Sequence, residues 1–397
     1  MRFPPIVHGL NDDDLYKKNM GAVFLFKHSD LYGEYKFVCR NADVVFTEEM
    51  FEEIQAQIDC LCNMRYTEQE LTYLRSIRYI PKGFVEFLRF WHPMRDYISC
   101  TRTADGKLDI SIEGPLFSCM QFEIYILEIV NEVYFRMSYD YDRLLDSALE
   151  RAEKKIRRFE DGTYSFSLTD FGTRRRLSYD CQRQILSMLH SRLGKNYLGT
   201  SNVRLSEEFD TKPRGTQAHE FFQVYQGIPS IALAYTNHYA MIDWYDVFRG
   251  DNGIALTDTL TTPLFLLDFD KAMASTYAGV RHDSGDPFTW GEEMIRHYEK
   301  LGIDPASKSL FFSDSLDFDR AQKICDHFRD RINVSFGIGT FITNDTFAEP
   351  LNIVIKLQAV NGKPVAKLSD DEGKTLCQDA EYLAYLKDAI AYRLRNA

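Results

Sequence analysis

The sequence has no C-x-x-C pair, no apolar run of membrane-spanning length, no excess of positive charge and no Walker-type phosphate signature. Its eight cysteines stand at positions 39, 60, 62, 100, 119, 181, 325 and 377, and only Cys60 and Cys62 lie close together. That pair lacks the second half of a structural zinc site. Scattered cysteines are expected to be free thiols in a reducing cytoplasm. Met1–Asp14 carries three consecutive acids and no continuous apolar stretch, a pattern unlike a secretory signal. No segment approaches the roughly 20 apolar residues of a membrane helix. A net charge of -12 and a pI near 5.3 argue against nonspecific binding to nucleic acid or an anionic membrane. A local basic pocket for a phosphorylated metabolite is still compatible with them. Without G-x-x-x-x-G-K-[ST], any ATP must be held by another geometry. Low-complexity tracts, internal repeats and long linkers are missing too.

What is present reads as an ordinary globular chain of 397 residues, 45% hydrophobic and 27% charged, long enough for two or three domains. Asp12-Asp13-Asp14 followed by Lys17-Lys18 reads as charge arranged to complement a helix dipole. Strand formers fill 35–46 and alternate over 108–113. Helices are expected over 47–61 and 67–77, with 84–91 in the core. After Gly114-Pro115, residues 121–137 are apolar almost all round and read as a buried helix. Residues 141–160 place Leu144, Leu145, Ala148 and Ile156 on one face, opposite interleaved acids and bases that read as solvated ion pairs. The texture changes near 115–160. Beyond it, strands are expected over 164–168, 253–256, 277–280, 309–312, 333–336 and 352–360. Helices are expected near 175–193, 217–227, 230–249, 291–301 and 317–330, and over 379–396. Repeated β-α units at this spacing predict a parallel sheet, open or closed into a barrel.

In such folds chemistry gathers at the loops that follow the strands. Val280–Pro287 packs Arg281, His282, Asp283, Ser284 and Asp286 around Gly285, which suits a phosphorylated sugar and equally a solvated turn. Phe171–Arg176 carries three arginines where Thr173 would cap a helix running to Leu193. Cations oppose the positive end of a helix dipole, so at least one of the three is expected to hold an anion. Thr216 is the expected N-cap that sets His219 in a first helical turn, where an anionic adduct is favoured over an imidazolium. Asp314, between Ser313 and Ser315 at a strand end, suits the two hydroxyls of a ribose. Asp317 and Asp319 read as dipole-compensating acids of the next helix. Gly337-Ile338-Gly339-Thr340 lets backbone N–H groups close on a phosphate, although Ile342 replaces the third glycine of a full dinucleotide fingerprint. Together these loops describe a site for a phosphorylated ribose and a second anion.

The ordered set F-G-T-R-R (171–175), L-G-T-S-N-V (198–203), G-T-Q-A-H-E (215–220), V-R-H-D-S-G-D-P (280–287), F-S-D-S-L (312–316) and F-G-I-G-T (336–340), with Leu15-Tyr16-Lys17 before it, closely resembles the nicotinate phosphoribosyltransferases of bacterial type. Each motif alone is weak; their order is specific and spans most of the chain. The resemblance implies an α/β fold: an irregular TIM-like α/β barrel with an N-terminal α/β sandwich-like domain. The bounds are then residues 1–130 for the N-terminal domain, with part of the C-terminal region able to join it, 131–370 for the barrel and 371–397 for a C-terminal helix. It implies condensation of nicotinate with phosphoribosyl pyrophosphate to nicotinate mononucleotide and pyrophosphate in NAD salvage. ATP is the co-substrate, through a phosphohistidine at His219, and Mg2+ accompanies pyrophosphate or ATP. By the same resemblance Phe171 stacks on the pyridine ring, Tyr16 covers its other face from a second subunit of a homodimer, and Arg174 lies near phosphate and base. Arg281 takes phosphate or pyrophosphate charge, Asp283 approaches the ribose and the ring, and Ser313 and Asp314 hold the ribose. Gly337, Gly339 and Thr340 cradle the 5′-phosphate. Thr200 and Ser201 belong to the base site, and Ser201 stands where the related nicotinamide enzyme carries an acid, which favours a carboxylate substrate. A nicotinamide or quinolinate phosphoribosyltransferase is the alternative within this fold. From other classes, a metal-dependent barrel hydrolase would use His282, Asp283 and Asp286, and a phosphoribosyl-metabolite sensor would catalyse nothing.

Overall fold

Short apolar strands separated by helices return to the same sheet by crossovers, and the product is a parallel ladder. The computed structural model describes residues 1–397 apart from the side chain of residue 372. Its strands in chain order are β1 (Tyr32–Cys39), β2 (Ile98–Arg102), β3 (Leu108–Pro115), β4 (Leu168–Asp170), β5 (Tyr197–Thr200), β6 (Ile254–Leu256), β7 (Gly279–His282), β8 (Ser309–Phe312), β9 (Asn333–Ile338), β10 (Ile353–Val360) and β11 (Lys363–Pro364). The fold is mixed α/β. Six strands pair in parallel in the order β5-β4-β9-β8-β7-β6, and five pair antiparallel in the order β11-β10-β1-β3-β2. The chain therefore crosses back after the parallel sheet and lays β10 beside β1. Gly279 shows how closely the parallel strands approach: a Cβ there would meet the Ser309 carbonyl oxygen at 2.1 Å.

The helix Phe122–Ser138 is buried on nearly every face, as its apolar run predicts, and packs on the helix Glu48–Cys62, β10 and the turn at Thr173–Arg175. Tyr141–Glu160 buries Leu144, Ala148, Ala152 and Ile156 against the helix Tyr179–Arg192, while Glu150–Lys154 and Glu153–Arg157 pair on its outer face. Several boundaries differ from the sequence reading. The strand expected over 164–168 runs Leu168–Asp170, because Tyr164 and Phe166 join an aromatic cluster with Phe159 and Phe318. The first strand begins and ends earlier than expected. Strands β2, β5 and β11 and the helices Thr262–Asp268 and Lys271–Thr276 are too short to show a period. Among the described residues no helix is long and apolar enough to cross a membrane, and the eight cysteines are free.

The largest correction concerns Asp12–Lys18. These charges do not face solvent beside a helix dipole; they are buried, at 0–4% exposure for Asp12, Asp13, Asp14, Lys17 and Lys18. Arg176, itself fully buried, donates to both carboxylate oxygens of Asp12 at 2.7 and 2.8 Å and lies 2.9 Å from Glu128. Lys18 donates to Asp13 at 2.7 Å and to the Tyr125 hydroxyl at 3.2 Å. Lys17 sits between Glu123, at 2.6 Å, and Glu220. Burial opposes ionisation of Asp12, and the Arg176 guanidinium overcomes it and holds the carboxyl below its ordinary range. Helix-surface logic failed here because the helix Leu15–Lys27 is covered on every side of its first turns.

Arg176→Met strands the Asp12 carboxylate in the interior, where removing one partner of a buried pair costs about 3–5 kcal/mol. Urea unfolding of the variant should show a clearly lowered midpoint; an unchanged midpoint would mean that the pair bears no stability.

Candidate functional site

The C-terminal ends of the parallel strands face β10 across a cavity of about 840 Å³. Into it come Phe171 and Arg174 from beyond β4, Ser201 from beyond β5, and Arg281 and Asp283 from the end of β7. Ser313 and Asp314 follow β8, and Gly337, Gly339 and Thr340 lie at and after the end of β9. His219 and Tyr16 line the same cavity. Tyr16 reaches it within its own chain. Thr200 is the exception among the expected residues. It is fully buried, donates to Asp170 at 2.7 Å, accepts from the Asn202 amide and does not line the cavity. Its role is to fix the turn that presents Ser201.

Arg281 cross-links the mouth of the site. Its Nε donates to Ser313 at 2.8 Å, one terminal nitrogen donates to Thr216 at 2.9 Å and to the Gln217 carbonyl at 2.8 Å, and the other reaches Asp283 at 3.0 Å. Ser313 also donates to Asp283, at 2.7 Å. Thr216 is therefore an acceptor for Arg281 and not the expected N-cap: the helix His219–Val224 begins after Ala218. His219 is its first residue. The ring Nε2 lies 2.9 Å from Asp283 and 2.8 Å from the Lys367 ammonium, and Nδ1 lies 3.1 Å from the Thr259 hydroxyl. Lys367 also lies 3.2 Å from Asp258. Burial works against ionised Asp283, and Arg281 first, then His219 and Lys367, hold its carboxyl well below the ordinary range. Burial, with Lys367, lowers His219, while Asp258 and Asp283 pull the other way.

At the other end Phe171 packs its ring 5.3 Å from Phe311 and stands over Gly337, where a Cβ would lie 2.7 Å from it. The Ser201 hydroxyl donates to Asp14 at 2.5 Å, and burial above all pushes the Asp14 carboxyl up to about 7. The arginine-rich turn is not the first turn of the next helix: Thr173–Arg175 is a short 3-10 turn, and Ser178, not Thr173, caps Tyr179–Arg192. Relieved of that dipole, the three arginines diverge. Arg174 and Arg175 line the cavity, and Arg176 is in the interior.

Cations that the sequence gave no reason to choose also line the cavity: Arg40 after β1, Lys356 on β10, and Lys367 and Lys374 beyond β11. Among the described residues Arg40, Arg175 and Lys356 form no ion pair with a carboxylate, and crowding of like charge shows in the chemistry of Arg175 and Lys356. Burial first depresses Lys356, to about 8; Glu123 opposes this, and Arg174, Lys367 and Arg40 add to it. Arg175 falls to about 9 by burial and then by Arg174 and Arg40. An anion entering the cavity would reverse that repulsion. Lys374 donates to Asp314 at 2.5 Å. The trio His282, Asp283 and Asp286 does not converge. His282 is buried against Trp290 and Phe312, and Asp286 caps the helix Pro287–Lys300 by accepting from the Thr289 amide at 2.8 Å. Among the described residues no three His, Cys, Asp or Glu side chains are grouped to hold a metal.

Two family models match the chain: the nicotinate phosphoribosyltransferase (NAPRTase) N-terminal domain over residues 12–131 and the nicotinate phosphoribosyltransferase (NAPRTase) family over residues 166–394. A nicotinate phosphoribosyltransferase of Chromobacterium violaceum is 44% identical over 393 residues, 97% of each chain. One of Acinetobacter baumannii is 42% identical over 394 residues, again 97% of each. The crystal structure of nicotinate phosphoribosyltransferase from Vibrio cholerae superposes with a TM-score of 0.90 at 36% identity, covering 99% of this chain and 98% of that one.

Gly337→Ala must push aside Phe171 or Phe311, since the added methyl would stand 2.7–2.9 Å from both rings. Overpacking of this kind costs about 1–3 kcal/mol. Equal thermal unfolding of variant and parent would show that the rings have room to yield.

Proposed function

The chain belongs to the nicotinate phosphoribosyltransferase family, and on that premise we propose that its cavity joins nicotinate to C1 of phosphoribosyl pyrophosphate, giving nicotinate mononucleotide and pyrophosphate. The observation that carries the reading is the convergence of an aromatic wall, a paired arginine and aspartate, an acid at a strand end and a glycine-threonine turn on one cavity. The ring nitrogen of nicotinate is the nucleophile, so the protein supplies position and charge. Phe171 holds the ring so that its nitrogen lies in line with C1. Gly337, Gly339 and Thr340 receive the 5′-phosphate, and Ser313 and Asp314 the ribose. The bond from C1 to pyrophosphate breaks through an oxocarbenium-like state, and the leaving group takes both electrons. Arg281, with Arg174 nearer the base, stabilises the charge that develops. Asp283, held ionised, lies where positive charge grows on the sugar.

The base end supports an acid substrate in a particular way. The Ser201 hydroxyl is turned to Asp14, so serine contributes the lack of a second charge more than a donated hydrogen bond. ATP enters the reading through His219, whose ring faces the cavity from a helix start and takes a phosphoryl group there. Mg2+ fits as a companion of pyrophosphate or ATP oxygens and not in a cage of side chains, since no such cage is present among the described residues. Bound so, it would neutralise the leaving group. For the architecture, six parallel strands with the site at their C-terminal ends support an irregular TIM-like barrel over about 131–370. The antiparallel sheet then marks the N-terminal domain over 1–130, joined by β10 and β11, with 371–397 as a terminal helix. A homodimer belongs to the reading as well, with Tyr16 covering the pyridine ring from the second subunit.

Pyrophosphate release should require nicotinate, rise with ATP, and be absent or weak with nicotinamide or quinolinate. Preference for either of those bases overturns the assignment. His219→Asn should keep basal transfer, lose ATP stimulation and take up no acid-labile label from γ-labelled ATP; labelling equal to the parent moves the phosphoryl group elsewhere.

Ser201→Asp sets a like charge against the nicotinate carboxylate and should raise the nicotinate KM at least about tenfold. Unchanged nicotinate kinetics would place the carboxylate away from Ser201.

A further inference from the structure

Asp170 closes β4 and immediately precedes Phe171, yet it is fully buried and does not line the cavity. Its carboxylate gathers three donors. The Gly172 amide donates to one oxygen at 2.9 Å; the Gln182 side chain, at 2.8 Å, and the Thr200 hydroxyl, at 2.7 Å, donate to the other. The Asp170 backbone carbonyl accepts a fourth bond, from the Ser201 amide at 2.9 Å. Gln182 in turn accepts from Arg176 at 3.2 Å, so hydrogen bonds run without a break from the buried guanidinium to Asp170. These bonds land at particular places. Gly172 follows Phe171 and Thr200 precedes Ser201, and both Phe171 and Ser201 line the cavity. The Phe171 side is pinned further: its amide donates to the Ile338 carbonyl at 2.9 Å, and the Gly172 carbonyl accepts from the Thr343 hydroxyl at 3.0 Å.

We propose that Asp170 is a positioning residue for the pyridine base, which fixes the spacing between the wall that stacks on the ring, at Phe171, and the turn that meets the ring's substituent, at Ser201. This rests on the nicotinate reading given above. The base is rigid: its nitrogen must lie in line with C1 while its carboxylate stays by Ser201. If the two walls moved independently, one demand would be met at the expense of the other. Asp170 prevents this, because one residue holds both. Its carboxylate offers acceptors only, and each of its three partners is a donor. An amide in its place has one accepting oxygen and turns an NH2 toward a donor, so at least one of the three bonds is lost. The Thr200 hydroxyl is the side-chain link on the Ser201 side, and it can be removed with the bond to Gly172 left in place. Neither Asp170 nor Thr200 lines the cavity, so both act on the base through Phe171 and Ser201.

The test is steady-state kinetics, with each substrate varied, on Asp170→Asn, Thr200→Val and Thr200→Ser. Val keeps the shape of the side chain and loses the hydroxyl; Ser keeps the hydroxyl. The kcat/KM for nicotinate should fall about tenfold in Asp170→Asn and about fivefold in Thr200→Val, while the KM for phosphoribosyl pyrophosphate stays within about twofold of the parent in both. Thr200→Ser should recover most of the loss. Equal losses for the two substrates, as general damage to the fold would give, overturn the proposal. Unchanged nicotinate kinetics do so too, as does a Thr200→Ser as poor as Thr200→Val. If Asp170→Asn does not fold, the Thr200 pair decides. If the parent uses another pyridine base, the nicotinate reading fails, and the same ratios measured with that base decide what Asp170 does. Crystal structures of parent and Thr200→Val decide without turnover: Ser201 should be displaced relative to Phe171, and both residues in their parent positions would overturn the proposal.

Discussion

Arg176 keeps a full charge without contact with water, and the parts of the molecule that build the cavity meet around it. Its guanidinium ties Asp12, just before the helix Leu15–Lys27, to Glu128 on the helix Phe122–Ser138. It stands three residues beyond the start of the turn that carries Arg174 to the cavity. A hydrophobic contact in the same place would tolerate sliding. A buried guanidinium with two matched donors does not, because any displacement leaves charge unpaired in a medium of low polarity. Phe171, Arg174 and Tyr16 are therefore held at one end of the cavity by residues that never touch it.

The same economy of charge governs the cavity. Two of its acids are answered within the protein, Asp283 by Arg281, Ser313 and His219 and Asp314 by Lys374, and Asp258 just behind them by Lys367 and Ser284. Arg40, Arg175 and Lys356 crowd one another instead, and burial lowers both Arg175 and Lys356. Surplus positive charge in an enclosed space is costly in the empty state, and a bound anion would relieve it. An overall charge of -12 on the chain is no contradiction. Net charge describes the surface as a whole and says little about a pocket whose cations come from distant segments.

How far the sequence was legible follows from this. Loops after strands could be read because glycine, serine, threonine and aspartate there report local backbone geometry. The parallel half was accordingly visible from the motif at Phe171 to that at Thr340. Arg40, Lys356 and Lys367 were not, since each is a lone cation on a strand end, a returning strand and a bridge, and only the crossing of β10 beside β1 brings them to the site. Asp12–Lys18 misled for a related reason. Acids before a helix and lysines within it satisfy a dipole pattern whether exposed or buried, and only long-range packing decides between the two. Thr173 and Thr216 failed as caps because Thr-x-x patterns are common, while the actual helix starts depend on Ser178 and on the backbone at Ala218.

Lys17 shows what such long-range packing adds to the chemistry. One ammonium answers Glu123, which lines the cavity beside Arg174, and Glu220, which follows His219 in sequence, while Tyr35 on β1 donates to Glu220 at 2.7 Å. Burial favours neutral carboxyls at both acids; Lys17 holds Glu123 below its ordinary range and leaves Glu220 above it. The ammonium divides its attraction between the two acids, and Arg174 adds a second cation 3.8 Å from Glu123. A shift of the helix His219–Val224 by a fraction of an ångström alters that division, because Coulomb energies in a buried cluster are steep in distance. The start of the His219 helix and the Arg174 end of the cavity are accordingly joined by a single shared charge, with no contiguous motif between them to reveal it.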